Sequence, residues 1–113
     1  MAREESFAFK VLIKKEPDAW IAHCLELNLI AEADSIEQVE SDIIDIITAH
    51  VQYAIENDNL THMYHPAPPS VWKEFLQCAD REESSYRGTE TLHDDLIPII
   101  RASKCFYRQA SHA

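Results

Sequence analysis

Residues Trp20 to Asp58, WIAHCLELNLIAEADSIEQVESDIIDIITAHVQYAIEND, decide the fold. Ala19 to Leu25 reads as a strand, with Trp20, Ala22 and Cys24 on one face and Ile21, His23 and Leu25 on the other, because side chains alternate along extended backbone. A strand apolar on both faces is covered on both. Either the C-terminal part of the chain folds back over it or another subunit packs there. Glu26-Leu27-Asn28 is the expected turn, Asn28 tolerating the left-handed conformation that glycine usually supplies. Leu29 to Ala33 alternates as a further strand. Asp34 and Ser35 are both good helix N-caps, with Glu37 or Gln38 three residues on to complete a capping box. Ile36, Val39, Ile43, Ile46, Ile47, His50, Val51, Ala54 and Ile55 then follow helical spacing. A helix so rich in β-branched residues has modest intrinsic propensity, so tertiary packing must hold it. Asn57-Asp58-Asn59 ends it.

Upstream, Met1 to Glu5 is polar and expected to fray. Phe7, Phe9, Val11 and Ile13 alternate with Ala8, Lys10, Leu12 and Lys14, which predicts a half-buried strand. Pro17-Asp18 suits the centre of a type I turn, so a hairpin follows. Downstream, Leu60 to Ser70 is a proline-rich connector. Ser70 is the expected cap of a short helix whose apolar stripe is Val71, Trp72, Phe75, Leu76 and Ala79. Asp80 to Gly88 reads as a charged loop. A C-terminal strand is expected from about Ile99 to Tyr107, with a hairpin turn at Asp94-Asp95, and Pro98 confines that strand to an edge or a beginning. The expectation is one α+β domain over residues 1–113: a three-stranded antiparallel sheet packed on one long helix, plus a short helix and one or two C-terminal strands. Its core spans 6–58, its connector 59–70 and its C-terminal part 71–110.

The 113 residues carry a formal net charge of −10, unevenly distributed. From Glu16 to Trp72 there is no Lys or Arg, whereas acidic side chains recur throughout. Nucleic-acid binding needs cations to replace phosphate counterions, so this half of the chain argues against it. An acidic face suits a basic partner instead. No apolar run is long enough to span a bilayer, and no basic segment leads into an apolar one at the start. Three widely spaced cysteines, Cys24, Cys78 and Cys105, fit reduced thiols in a cytoplasmic protein.

Catalytic chemistry finds no specific pattern. A single glycine, Gly88, cannot build a phosphate-binding loop. His62 and His65 form an H-x-x-H pair, but in a proline-rich loop without a cysteine pair nearby. His23 and Cys24 point to opposite faces of a strand. Cys24 reads as a small buried hydrophobe and His50 as a core or interface histidine. No catalytic set, resident metal or cofactor is expected.

The run Trp20-Ile21-Ala22-His23-Cys24-Leu25-Glu26-Leu27, followed by Ala33-Asp34-Ser35 at the helix start, resembles the HicB-like antitoxin family. That family has an aromatic residue, Ala, His, Cys or Ser and Pro-Glu-Leu on the second strand, and Gly-Asp-Thr before the helix. Leu25 stands here for the proline and Ala33-Asp34-Ser35 for Gly-Asp-Thr. The resemblance covers roughly Phe7 to Asp58. It implies a β-β-β-α core similar to a degenerate ribonuclease H-like fold without that enzyme's metal carboxylates. It also implies neutralisation of a small basic toxin that cleaves mRNA. Many family members add a C-terminal DNA-binding motif, which the Trp72-Phe75 region does not resemble.

The leading expectation is a non-catalytic, antitoxin-like protein-binding module. Its candidate partner contacts are Glu37, Glu40, Asp45, Trp72 and Phe75, and it self-associates, most simply as a dimer, through Ile21, His23 and Leu25. A small-molecule or metal-binding domain using His23, His62 and His65 is the alternative. A DNA-binding autoregulator is the third.

Overall fold

A computed structural model describes residues 3–89 and 96–107. Its elements are β1 (Arg3–Lys15), β2 (Trp20–Cys24), β3 (Leu29–Ala33), α1 (Ile36–Glu56), a 3₁₀ turn (Leu60–His62), α2 (Pro69–Leu76), β4 (Arg81–Arg87) and β5 (Leu96–Tyr107). They form an α+β fold with one five-stranded mixed sheet ordered β3-β2-β1-β5-β4. The antiparallel β1-β2-β3 part and the long helix match the expectation, but the sheet is larger. β1 starts at Arg3, so Arg3–Glu5 are strand and not a frayed end. β5 pairs with β1 in parallel from Arg3↔Leu96 to Lys14↔Tyr107. It therefore begins earlier than Ile99. The hairpin turn expected at Asp94-Asp95 falls outside the described residues.

Local chemistry explains the joints. Glu16 and Ala19 exchange backbone hydrogen bonds across Pro17-Asp18, at 2.8 and 3.4 Å, closing the first hairpin. Asn28 takes φ 53° as the turn requires. The Ser35 hydroxyl accepts from the Gln38 N–H at 3.1 Å and caps α1. At the other end Asp58 adopts φ 50°. Asn59 N–H donates to Ala54 O at 2.7 Å and Asp58 N–H to Ile55 O at 3.2 Å, the paired bonds of a Schellman motif. An aspartate sits where glycine is favoured, so the helix stop carries strain. α2 starts two residues earlier than its hydroxyl cap would place it: Pro69 occupies its first turn and Ser70 lies inside, because proline presets helical φ and needs no N–H there.

The charged loop expected over Asp80 to Gly88 is instead strand β4, antiparallel to β5 from Arg81↔Cys105 to Arg87↔Ile99. Its hydrophobicity is low because it is an edge strand, where charges are the usual protection. Beyond it Gly88 N–H donates to Pro98 O at 2.8 Å. A Cβ on Gly88 would lie 2.8 Å from Pro98 Cγ, which accounts for the chain's one glycine. Pro98 precedes the first β4–β5 pair, consistent with its expected place near a strand beginning.

The two sheet faces are covered by different elements. Phe9, Val11 and Ile13 of β1, Ala22 and Cys24 of β2 and Ile100 and Ala102 of β5 pack with Val39, Ile43, Ile47 and Val51 of α1. On the opposite face Leu12, Leu25, Cys105, Phe75 and Cys78 form a smaller core under α2. The C-terminal part thus folds back over the end of β2, the first of the two coverings that its two-faced pattern allowed.

Cys78 and Cys105 form a disulfide with Cα atoms 6.2 Å apart, spanning 27 residues. This corrects the expectation of three reduced thiols. Only Cys24 is free, and it is buried. Pairing was not legible because Cys78, just after α2, and Cys105, on β5, meet only when α2 docks on the sheet. Denatured, unreduced protein should titrate one thiol and reduced protein three. Reduction should cost about 3.5 kcal/mol of stability by the loop-entropy model, read as a lower denaturation midpoint. Asp58→Gly should stabilise by about 1 kcal/mol by relieving the left-handed aspartate, measured by urea unfolding.

Candidate functional site

Three features carry polar or exposed chemistry. The first is a buried lysine. Lys104 lies on the α1 face of β5 with only 2% of its side chain exposed. Its ammonium donates to Glu40 Oε2 and to the Tyr86 hydroxyl, both at 3.0 Å, and lies 3.6 Å from Glu82 Oε1. Burial alone pushes the lysine pKa down, but these bonds and the Glu40 charge outweigh it, and the net shift is upward. The group is a held cation that ties α1, β4 and β5 together. Since its folded pKa is raised, its contribution to stability persists at lower pH and is lost only as pH rises through that folded value.

The second feature is acidic. Asp18, Glu32, Asp34, Ser35, Gln38 and Asp42 line a polar groove of about 540 Å³ where the β1–β2 hairpin and β3 meet the start of α1. Glu37 and Asp45 are exposed on α1. Among the described residues no group of three His, Cys, Asp or Glu could hold a metal ion.

The third feature is the outer side of α2. Pro66, Ala67, Pro69, Trp72, Lys73 and Leu76 line a largely apolar groove of about 560 Å³. The Trp72 indole N–H donates to Ala67 O at 3.1 Å, and the Lys10 ammonium lies 5.7 Å from its ring centre. Leu76 is 66% exposed. Arg81 closes the C-terminal end of α2, donating to Phe75 O, Leu76 O and Cys78 O at 3.0 to 3.4 Å. A cation there meets the negative end of the helix.

The predicted residues divide accordingly. Glu37 and Asp45 are at the surface, but Glu40 is half-buried and engaged by Lys104, so it is a structural ligand. Trp72 borders the α2 groove. Phe75 is 1% exposed and sits beneath α2, with the Arg81 guanidinium 4.6 Å from its ring centre; the partner contact expected of it is corrected to a core role. Ile21 and His23 remain half-buried on the open side of β2, whereas Leu25 is fully buried and cannot line an interface. Ile30, 58% exposed and paired with His23 across β2–β3, takes its place on that face. His23 meets Asn28 Oδ1 at 2.7 Å. His62 and His65 are exposed. Cys24 is desolvated, which pushes its thiol up to about 12, the behaviour of an inert core cysteine.

Lys104 was the residue missed. Its strand showed alternation without a clean polar face, and a lysine with no visible partner reads as surface. The signal lay 64 residues away, in Glu40.

Comparison of the chain with models of known families, with curated proteins and with solved structures finds no match in any of the three. No helix among the described residues is long and apolar enough to cross a membrane.

Removing one partner of a buried ion pair leaves an unpaired charge. Glu40→Ala should therefore destabilise by about 3 kcal/mol, while Glu40→Ala with Lys104→Met should recover much of the loss. Thermal or urea denaturation of the two single variants and the double variant checks this.

Proposed function

We propose that this protein is a non-catalytic, antitoxin-like binding module whose acidic surface takes a small basic protein partner. The observation that carries the reading is the groove of Asp18, Glu32, Asp34 and Asp42, continued by exposed Glu37 and Asp45, in a segment without Lys or Arg from residue 16 to 72. Carboxylates gathered without cations between them make a surface of one sign, which steers an oppositely charged protein. The antitoxin-like part draws its support from the HicB-like resemblance and from the order of β1, β2, β3 and α1, which is the core arrangement that resemblance implies.

The open face of β2 and β3, with Ile21, His23 and Ile30, supports self-association as a symmetric dimer. The cytoplasmic setting belongs to the same reading and requires Cys78 and Cys105 to withstand or lose their pairing in a reducing compartment. Without the bond, α2 is held by the packing of Phe75, Val71 and Trp72 against Leu12 and Leu25 and by the Lys14–Glu74 ion pair.

A pull-down at low salt from cells encoding a small basic protein beside this gene should capture that protein, and added salt should release it. Charge reversal at Glu37 and Asp45 should weaken capture about tenfold or more. The accompanying loss of stability should stay within about 0.3–1 kcal/mol, the amount expected for a reversed charge in the first turn of α1. An empty low-salt pull-down would count against the reading. Sedimentation at micromolar concentration showing only the 13 kDa monomer would remove the dimer.

A further inference from the structure

β1 is central in the sheet, yet half of one of its edges is open. Its pairing with β2 runs only from Val11↔Cys24 to Lys15↔Trp20. Where β2 ends, Leu25 N–H donates to Lys10 O at 2.9 Å, and Glu26 Oε1 accepts the Lys10 N–H at 2.8 Å. The connector then crosses the sheet: Leu25 O and Glu26 O accept from Ala67 N–H and His65 N–H at 2.7 and 3.0 Å. Below this point β1 continues through Arg3–Phe9, paired only with β5. Main-chain groups of alternate residues in a parallel ladder point to opposite edges. Those of Lys10 point away from β5, and so do those of Glu4, Ser6 and Ala8, which among the described residues meet no partner. Ser6 and Ala8 are exposed.

The helix above shows the same gap. Val39, Ile43, Ile46, His50, Tyr53 and Asn57 recur at spacings of three and four along one flank of α1, which makes them a single stripe. The stripe is fully buried at Val39 and Ile43, 37% exposed at Ile46 and 66% at Tyr53. On the core-facing side, by contrast, Val51 and Ile55 stay buried to the end of the helix. Gln52, which donates to Thr89 O at 3.1 Å, marks the β4 side. Cover is therefore lost along the Ile46–Tyr53 flank, on the side of α1 away from Gln52 and β4.

We propose that the Arg3–Phe9 edge of β1 is a strand-addition site that accepts a basic, extended segment of a partner protein. The added strand takes the six free main-chain groups of Glu4, Ser6 and Ala8 and lays alternate apolar side chains under Ile46 and Tyr53. Charge selects the occupant. Exposed Glu5 lies along the gap and Glu26 at its end, and the Tyr64 hydroxyl beside them has its pKa raised by burial and then by the carboxylates of Glu26 and Glu5. The last turn of α1 holds no basic residue to offset its negative end. Of the nearby cations, Lys10 is bound to Glu26 and Arg87 to Glu4; Arg3 sits at the far end, and Arg101 lies across the β1–β5 ladder from Ala8, one strand away from the gap. A second copy fits less well. Self-pairing centred on Glu4, Glu5 or Ser6 sets a carboxylate opposite or diagonal to its own mate, between two molecules each carrying −10.

The inference rests on the basic-partner reading and moves the contact from the acidic face of α1 to the edge of β1. The probe is an alternating Lys-Val peptide, titrated into the full chain and followed by amide NMR and hydrogen exchange. Glu4, Ser6 and Ala8 amides should shift and become protected. A peptide N-methylated on the edge-facing residues should bind at least about tenfold more weakly, a control that leaves the protein's fold untouched. Ser6→Pro should do the same, and an alternating Glu-Val peptide should not bind. Shifts confined to Glu37, Asp42 and Asp45 and abolished by charge reversal there would overturn the edge site and leave the acidic-face reading standing. Protection of Ser6 that rises with protein concentration in the absence of peptide would assign the edge to a second copy and overturn the proposal. Absence of any shift would overturn it as well, while the low-salt pull-down tests the parent reading separately.

Discussion

The parallel ladder between β1 and β5 is the contact on which the rest of the structure depends. Parallel strands cannot be joined by a tight turn; their connection must cross a sheet face. Here the crossing begins with α1, which covers one face on its way. The connector then passes through the sheet at Leu25 and Glu26, and α2 covers the other face before β4 and β5 return. Both layers follow from placing the last strand beside the first. So does the open edge: the connector can cross only where β2 has ended, and β1 must extend past that point to match the length of β5.

Charge is managed by the same geometry. Most cations lie outside the segment that carries the acidic surface, and they are used at joints. Lys104 binds Glu40 across the sheet–helix interface, Arg81 caps α2, Lys10 meets Glu26 and Trp72 where the connector crosses, and Lys14 binds Glu74 at 2.9 Å. Buried ion pairs are weak contributors to net stability but strong penalties when broken. Lys104 therefore fixes how β5 and β4 sit against α1 more than it deepens the fold. The consequence for function is a surface with little positive charge left to compensate its carboxylates.

Half of the fold could be read from local chemistry. The β1 alternation, the Pro17-Asp18 hairpin, the Asn28 turn, the Leu29–Ala33 strand and the Ser35 cap each involve residues close in sequence, and each signal is specific. β4 was not legible because Arg81–Arg87 offers no apolar face: Tyr86 is half-buried and Glu82 largely exposed, and what both meet is Lys104, a lysine of another strand. Of the candidate contacts, Glu37 and Asp45 lie at the surface. Glu40, Phe75 and Leu25 do not, since each is withdrawn by an element distant in sequence: β5, the β1–β5 part of the sheet and α2 respectively.

The sequence by itself determined three strands and a capped amphipathic helix, the absence of cations between residues 16 and 72 and the need for a second cover on β2. These are properties of neighbours, set by side-chain alternation, capping and charge. Only the tertiary structure decided that the cover is α2 and that Cys78 and Cys105 meet. It also decided that a lysine is buried under α1 and that β1 keeps a free edge below Lys10. Each of these depends on the parallel docking of β5 against β1, a pairing between residues some ninety positions apart that no local pattern encodes.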